Sequence, residues 1–281
     1  MKKKGEKLLA WMLMLIVLLS GAVAANKTVP QKTEAATEKC YSFAEGKKVK
    51  IGKYYYKVNT KGKLQRSKSK DKNFKNIANS NTADYLSTGN MIYYVNETKG
   101  KEESTIYSCK MNGKTKKKIL TVKKYISLST IYKNKLYVSE GSESDGYVTY
   151  SLSLKDKAKL KKVKKELRLF NERQGQYILG AEWMPTDVSA YGICIYDAKN
   201  NKKISLGAGL AACFIDRKVY YASYDDKVNC YYIKRCNLNG SKKEVLASLD
   251  DTIWYVTKVT KTYCEGYSTS GDGMDIVKVN Y

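Results

Sequence analysis

Residues 106–120 read IYSCKMNGKTKKKIL, and residues 233–246 read IKRCNLNGSKKEVL. Each sets a cysteine three residues ahead of an Asn-Gly pair, follows it with lysines and closes on two aliphatic residues. Asn-Gly flanked by apolar runs is a strong hairpin signal, because both residues tolerate positive φ, and a type I′ turn is expected at each copy. The copies lie 127 residues apart, from Cys109 to Cys236. That interval is itself divided. Short aromatic and β-branched runs (MIYYVN, KLYVSE, QYILGAEW, KVYYASY, KTYCEGY) recur at Ile92, Leu136, Ile178, Val219 and Thr262, with spacings of 44, 42, 41 and 43. Turn markers at Asn112, Lys155, Asp197, Asn239 and Asn280 follow at 43, 42, 42 and 41. The two quoted stretches are therefore three periods apart.

A period of this length, rich in short strands, points to an all-β chain and a β-propeller with one four-stranded sheet per period. Helical solenoids of similar period need a 3.6-residue apolar repeat, which these segments lack. Only residues 157–170, KAKLKKVKKELRLF, have a helical look, and their end is read as an outer strand. In the second period the four strands fall at 125–132, 136–141, 147–154 and 160–167. With 25 Tyr, 4 Phe and 2 Pro, the composition suits pleated, half-buried surface. The last period offers three strands, so residues about 48–66 are expected to complete it. This closes a ring of five blades and removes a raw edge. Six blades, with the N-terminal piece as a degenerate blade, is the alternative. The domain reading is a signal segment over 1–24, a polar linker over 25–47 and the propeller over 48–281.

The segments IYYVN…IYSCKMNGKTKKKIL and VYYASYDDKVNCYYIKRCNLNGSKKEVL resemble the repeats of a family of secreted bacterial β-propellers of unknown function, similar to low-density-lipoprotein-receptor-type propeller repeats. The resemblance covers residues 50–281 and implies the propeller fold. Its motifs mark hairpins and bring no catalytic residues. The Tyr-Trp-Thr-Asp motif of the receptor repeats is absent, so no ligand mode follows from it.

The first residues, MKKKGEKLLAWMLMLIVLLSGAVAAN, place a basic start before a twelve-residue apolar run and then Ala22-Val23-Ala24. That is the pattern of a cleaved secretory signal, with an uncleaved membrane anchor as the other reading. Membrane contact is expected only if this segment is retained. The formal charge is +25, and about +22 without the signal. Such a charge attracts anionic surfaces and polymers. The seven cysteines show no C-x-x-C spacing and read as small buried hydrophobes rather than a disulfide set. No histidine is present, which removes Ser-His, Cys-His and His-metal constellations.

The chemistry expected is therefore binding, not catalysis. In each sheet the first and third turns share one end. That end would carry Lys114, Lys116, Lys117, Lys133, Lys135, Lys202, Lys203, Lys218, Lys242 and Lys243 as a face for an anionic ligand. The opposite end would be mixed or acidic. The function expected is an exported, non-enzymatic binding or scaffolding module at the cell surface. It would dock on an anionic cell-wall polymer or a surface protein, without nucleic acid, cofactor or metal. The loops SESDG and SGDGMD gather oxygen donors but lack EF-hand spacing. The alternative is a secreted carbohydrate-active hydrolase using carboxylates at the propeller's central opening.

Overall fold

The computed structural model describes residues 39–142, 146–155, 159–184, 191–209, 211–268 and 275–281. A strand β1 (Cys40–Phe43) precedes six antiparallel meanders. The first sheet is β2 (Val49–Ile51), β3 (Tyr54–Val58), β4 (Lys63–Ser67) and β5 (Lys75–Asn79). The second is β6 (Tyr85–Thr88), β7 (Met91–Glu97), β8 (Ser104–Lys110) and β9 (Lys117–Val122), with β1 paired to β6. The third is β10 (Ser127–Tyr132), β11 (Lys135–Ser142), β12 (Gly146–Ser153) and β13 (Leu160–Lys165). The fourth is β14 (Leu167–Gln174), β15 (Tyr177–Trp183), β16 (Tyr191–Asp197) and β17 (Lys202–Ala208). The fifth, β18 (Ala212–Ile215), β19 (Lys218–Asp225), β20 (Cys230–Asn237) and β21 (Glu244–Ser248), joins the fourth through the single pair Ala208–Tyr224. The sixth has three strands, β22 (Ile253–Val259), β23 (Tyr263–Ser268) and β24 (Asp275–Asn280).

The apolar runs behave as they do because the inner sheets are covered on both faces. Side chains alternate across a strand, so neighbours in sequence meet different neighbours in space. In β7, Ile92 and Tyr94 pack with Tyr56, Val58 and Leu64 of the first sheet. Tyr93 and Val95 pack with Leu136 and Val138 of the third. In β15, Ile178 faces the third sheet's Tyr132 and Tyr137, and Leu179 faces the fifth sheet's Val219 and Tyr221. Tyr220 and Ala222 then turn to Val256 and Cys264 of the sixth. Each fully buried aliphatic contributes about 1.5–3 kcal/mol. The two end sheets are covered on one face. Trp254 is 44% and Ile276 72% exposed on the sixth.

Hydrogen bonds tie the innermost strands together one period at a time. Leu128 N donates to Asp84 Oδ2 (2.5 Å), and Thr130 Oγ1 to Asn171 Oδ1 (3.3 Å). Phe214 N donates to Glu172 Oε1 (2.9 Å), and the Cys213 thiol to Val259 O (3.0 Å). Burial pushes the Glu172 carboxyl above the usual range, and the Phe214 bond pulls it back.

The repeated Asn-Gly stretch is a hairpin in both copies, but not the type I′ turn expected. Asn112 and Asn239 stay out of the left-handed region; Gly113 (φ +81°) and Gly240 (φ +76°) occupy it. Each glycine donates its N–H three residues back, to Lys110 O and Asn237 O at 2.8 Å. Packing explains the choice. A Cβ on Gly113 would stand 2.8 Å from Ile77 O of β5, and one on Gly240 2.5 Å from Ile204 of β17. The turn of one sheet rests on the outer strand of the sheet before it.

The sequence reading needs three further corrections. Residues 48–66 do not complete the last sheet. They belong to β2–β5, a separate four-stranded sheet, and among the described residues no sheet is closed. The outer strands, VKI of three residues and the polar KNIAN, announce themselves weakly and hid that sheet. The stretch 25–47 is not linker throughout, because Cys40–Phe43 forms β1 and Phe43 is buried beside Tyr56 and Tyr85. The strand read at 160–167 stops at Lys165; Glu166 turns left-handed (φ +55°), and Leu167 opens the next sheet. The signal segment 1–24 and most of SESDG and SGDGMD lie outside the described residues.

Gly113→Ala and Gly240→Ala are expected to lower stability in urea unfolding by about 1–3 kcal/mol each. Gly100→Ala, at φ +75° with nothing within 4 Å, is the control and is expected to lose only the backbone share, about 1 kcal/mol. Equal losses at all three sites would refute turn docking as the reason for the glycines.

Candidate functional site

An antiparallel meander places its first and third turns at one end, and the ten lysines singled out by sequence all fall in or beside such turns. The structure does not leave all ten equally free. Lys203 is half-buried, its ammonium 2.5 Å from Glu182 Oε2, so its charge is used inside the sheet. Lys218 is half-buried and donates to Asn237 Oδ1 at 2.6 Å. Lys116 lies over the Tyr107 ring at 4.7 Å, Lys133 over Tyr132 at 5.4 Å, and Lys243 reaches Ser205 O at 3.5 Å. Lys114, Lys117, Lys135, Lys202 and Lys242 are exposed turn lysines.

Among the described residues, the carboxylates at or beside these turns are engaged. Asp71 meets Lys48 at 2.8 Å, and Asp216 meets Lys261 at 2.9 Å. Glu244 is paired with Arg235, which holds its carboxyl below the usual range. Asp197 accepts the Lys199 and Asn200 N–H groups and the Gln176 amide, and its carboxyl is held low by those bonds against the cost of burial. The turn end is therefore basic in net effect.

Sequence reasoning missed a concave part of this end. Two adjoining hollows of about 520 and 500 Å³ share Tyr54, Arg66 and Asn112 as walls. Lys53 and Lys110 line the first, Lys68 and Lys75 the second, and no Asp or Glu lines either. The Arg66 guanidinium stacks over the Tyr54 ring at 4.3 Å and donates to Met111 O at 3.3 Å. The groove was invisible while residues 48–66 were assigned to another sheet. The clustered cations of RSKSKDK, residues 66–72, were the available signal.

A second hollow lies between the innermost strands, about 430 Å³ in volume, walled by β1, β6, β10 and β14. Asp84 enters it after a left-handed Ala83 (φ +56°). Burial pushes the Asp84 carboxyl up to about 6, against the pull of the Leu128 N–H and the Arg168 charge. Arg168 lines the same hollow, donates to Tyr147 OH at 3.1 Å and stacks on its ring at 4.7 Å. Glu97 stands exposed at the rim. Asp84 carries no sequence motif and only the fold brings it to Arg168. Among the described residues no three His, Cys, Asp or Glu side chains gather as a metal site.

The buried thiols Cys109 and Cys236, the repeated cysteines, are packed in the core, and burial pushes both up to about 11. They are packing groups, not nucleophiles.

No family model matches the chain, and no curated protein matches it in sequence. Its likeness to solved structures is one of fold. A prolyl endopeptidase structure aligns with 87% of this chain at a TM-score of 0.56 and 10% identity; the chain spans 41% of that structure. An oligogalacturonate lyase in complex with manganese aligns at 0.49, with 10% identity over 82% of this chain and 74% of the other. A putative TolB from Agrobacterium tumefaciens aligns at 0.44, with 15% identity over 82% and 87%. The successive four-stranded meanders and the endopeptidase likeness together define a β-propeller-like protein.

Asp84 titrates with a sign opposite to a salt-bridged acid. Its folded value lies above the ordinary aspartate value of 3.8. The stability it contributes is therefore present below about pH 4 and lost as pH rises through about 6. Asp84→Asn keeps an acceptor for Leu128 and removes the buried charge. Relative to the parent, it is expected to gain about 1–3 kcal/mol between pH 4 and pH 8 in urea unfolding. A difference independent of pH would mean that the carboxyl is not withdrawn from water.

Proposed function

We propose that this chain is an exported, non-enzymatic binding module that docks on an anionic cell-envelope polymer through its basic turn end. The observation that supports it most is the groove around Arg66, where five cationic side chains meet without a carboxylate in the lining. A planar guanidinium held by Tyr54 and Met111 presents its remaining donors in a fixed fork, suited to phosphate or carboxylate groups. The exposed lysines of neighbouring turns extend the same sign of charge beyond the groove, which suits a repeating anionic ligand better than a single ion. Export rests on the basic, apolar and small-residue order of residues 1–24.

The competing reading, a carbohydrate-active hydrolase, draws on the presence of Asp84, Glu97 and Arg168 around the central hollow. Release of reducing ends from an anionic polysaccharide would favour it over the proposal.

The test is retention on an immobilised polyphosphate or polyuronate column. Retention is expected in low salt and loss by about 0.5 M NaCl, where charges are screened beyond a few ångströms. Combining Lys53→Gln, Lys68→Gln and Lys75→Gln, all exposed, is expected to advance elution substantially, and Lys99→Gln with Lys101→Gln at the opposite end to leave it nearly unchanged. Equal effects of the two variants, or retention indifferent to salt, would overturn the proposal.

A further inference from the structure

The central hollow has features that polyanion docking does not use. It is walled by the innermost strands of three consecutive sheets and by β1, which pairs with β6 and also reaches β14. Its volume of about 430 Å³ falls in the range of small-molecule sites. Among the described residues, Arg168 faces it with Tyr147 as its one hydrogen-bond partner and with no carboxylate within 4 Å of its guanidinium. A guanidinium carries five N–H donors, so most of them are unspent. Asp84 commits one oxygen to the Leu128 N–H, which leaves lone pairs for a hydroxyl. Asn171 and Ser129 add short polar groups, and Phe43 and Phe170 add apolar wall.

We infer that this hollow binds a small hydroxylated carboxylate, of the size of an acidic monosaccharide, with its carboxylate on Arg168 and a hydroxyl on Asp84. The paired requirement follows from the charges. A neutral sugar leaves the Arg168 fork without an anionic partner and so gains less there than a carboxylate does. A dianionic phosphate meets the Asp84 charge at close quarters. A divalent cation is opposed by Arg168. A monoanion carrying hydroxyl donors satisfies both side chains, with the aromatic walls against its carbon skeleton. This inference is independent of the basic groove, which lies at the turn end of the first two sheets.

Calorimetric titration of the full chain with glucuronate, glucose and glucose 6-phosphate at one ionic strength tests it. Glucuronate is expected to bind, with glucose and the phosphate at least about tenfold weaker. Arg168→Gln is expected to weaken glucuronate at least about tenfold, and Asp84→Asn to weaken it by a smaller factor. Should Arg168→Gln fail to fold, through loss of its Tyr147 contacts, Asp84→Asn decides. No heat from glucuronate up to about 10 mM, equal binding of glucose, preference for the phosphate, or unaltered affinity in the folded variant would each overturn the inference.

Discussion

A sheet that is apolar on both faces has nowhere to go but between two others. That constraint organises this chain. The second strand of each inner sheet sends alternate residues to opposite neighbours: Ile92 and Tyr94 backward, Tyr93 and Val95 forward. Removing one sheet would strip the cover from both of its neighbours. Stability is thus passed from sheet to sheet, as in other repeat architectures. Five apolar clusters join six sheets in succession, and the two end sheets keep an uncovered face.

Apolar packing of this kind sets distance but leaves rotation loose. The bonds between innermost strands supply the missing direction. Asp84 to Leu128, Thr130 to Asn171, Glu172 to Phe214 and Cys213 to Val259 recur at separations of 44, 41, 42 and 46 residues. Each is worth about 0.5–1.5 kcal/mol net, yet an unmade one would leave a buried group without a partner and cost more. At the outer rim, Gly113 on Ile77 and Gly240 on Ile204 do the same work by close approach. One of these ties has a second consequence. Because Asp84 is held by the next sheet, its carboxyl is fixed in a hollow shared with Arg168 and partly withdrawn from water.

The two candidate sites therefore arise from different physics. Turn lysines are where they are because hairpin ends must face water, and a meander puts alternate turns at the same end. The central hollow exists because the innermost strands converge, and its polar side chains come from separate periods. The first kind of site needs only a strand pattern. The second needs the packed arrangement.

The strand pattern was in the sequence. Runs such as IYYV, LYV and VYYA are continuous rather than alternating because both faces are buried, and their spacing near 42 residues gave one sheet per period. The first sheet was legible only as the alternative of a degenerate sixth blade, because VKI is too short and KNIAN too polar to announce strands, and both take their order by pairing with YYYKV and KLQRS. The turn type was misread for a similar reason: Asn-Gly permits two hairpin forms, and contact with the preceding sheet selected the one in which glycine alone is left-handed. So the sequence by itself determined an all-β chain of repeated sheets with a basic turn end, since hydrophobic periodicity and turn chemistry are local. Only the tertiary structure decided that Arg66 sits in a carboxylate-free groove and that Asp84 shares a hollow with Arg168, because those neighbours are set by packing between distant periods and leave no mark in the local pattern.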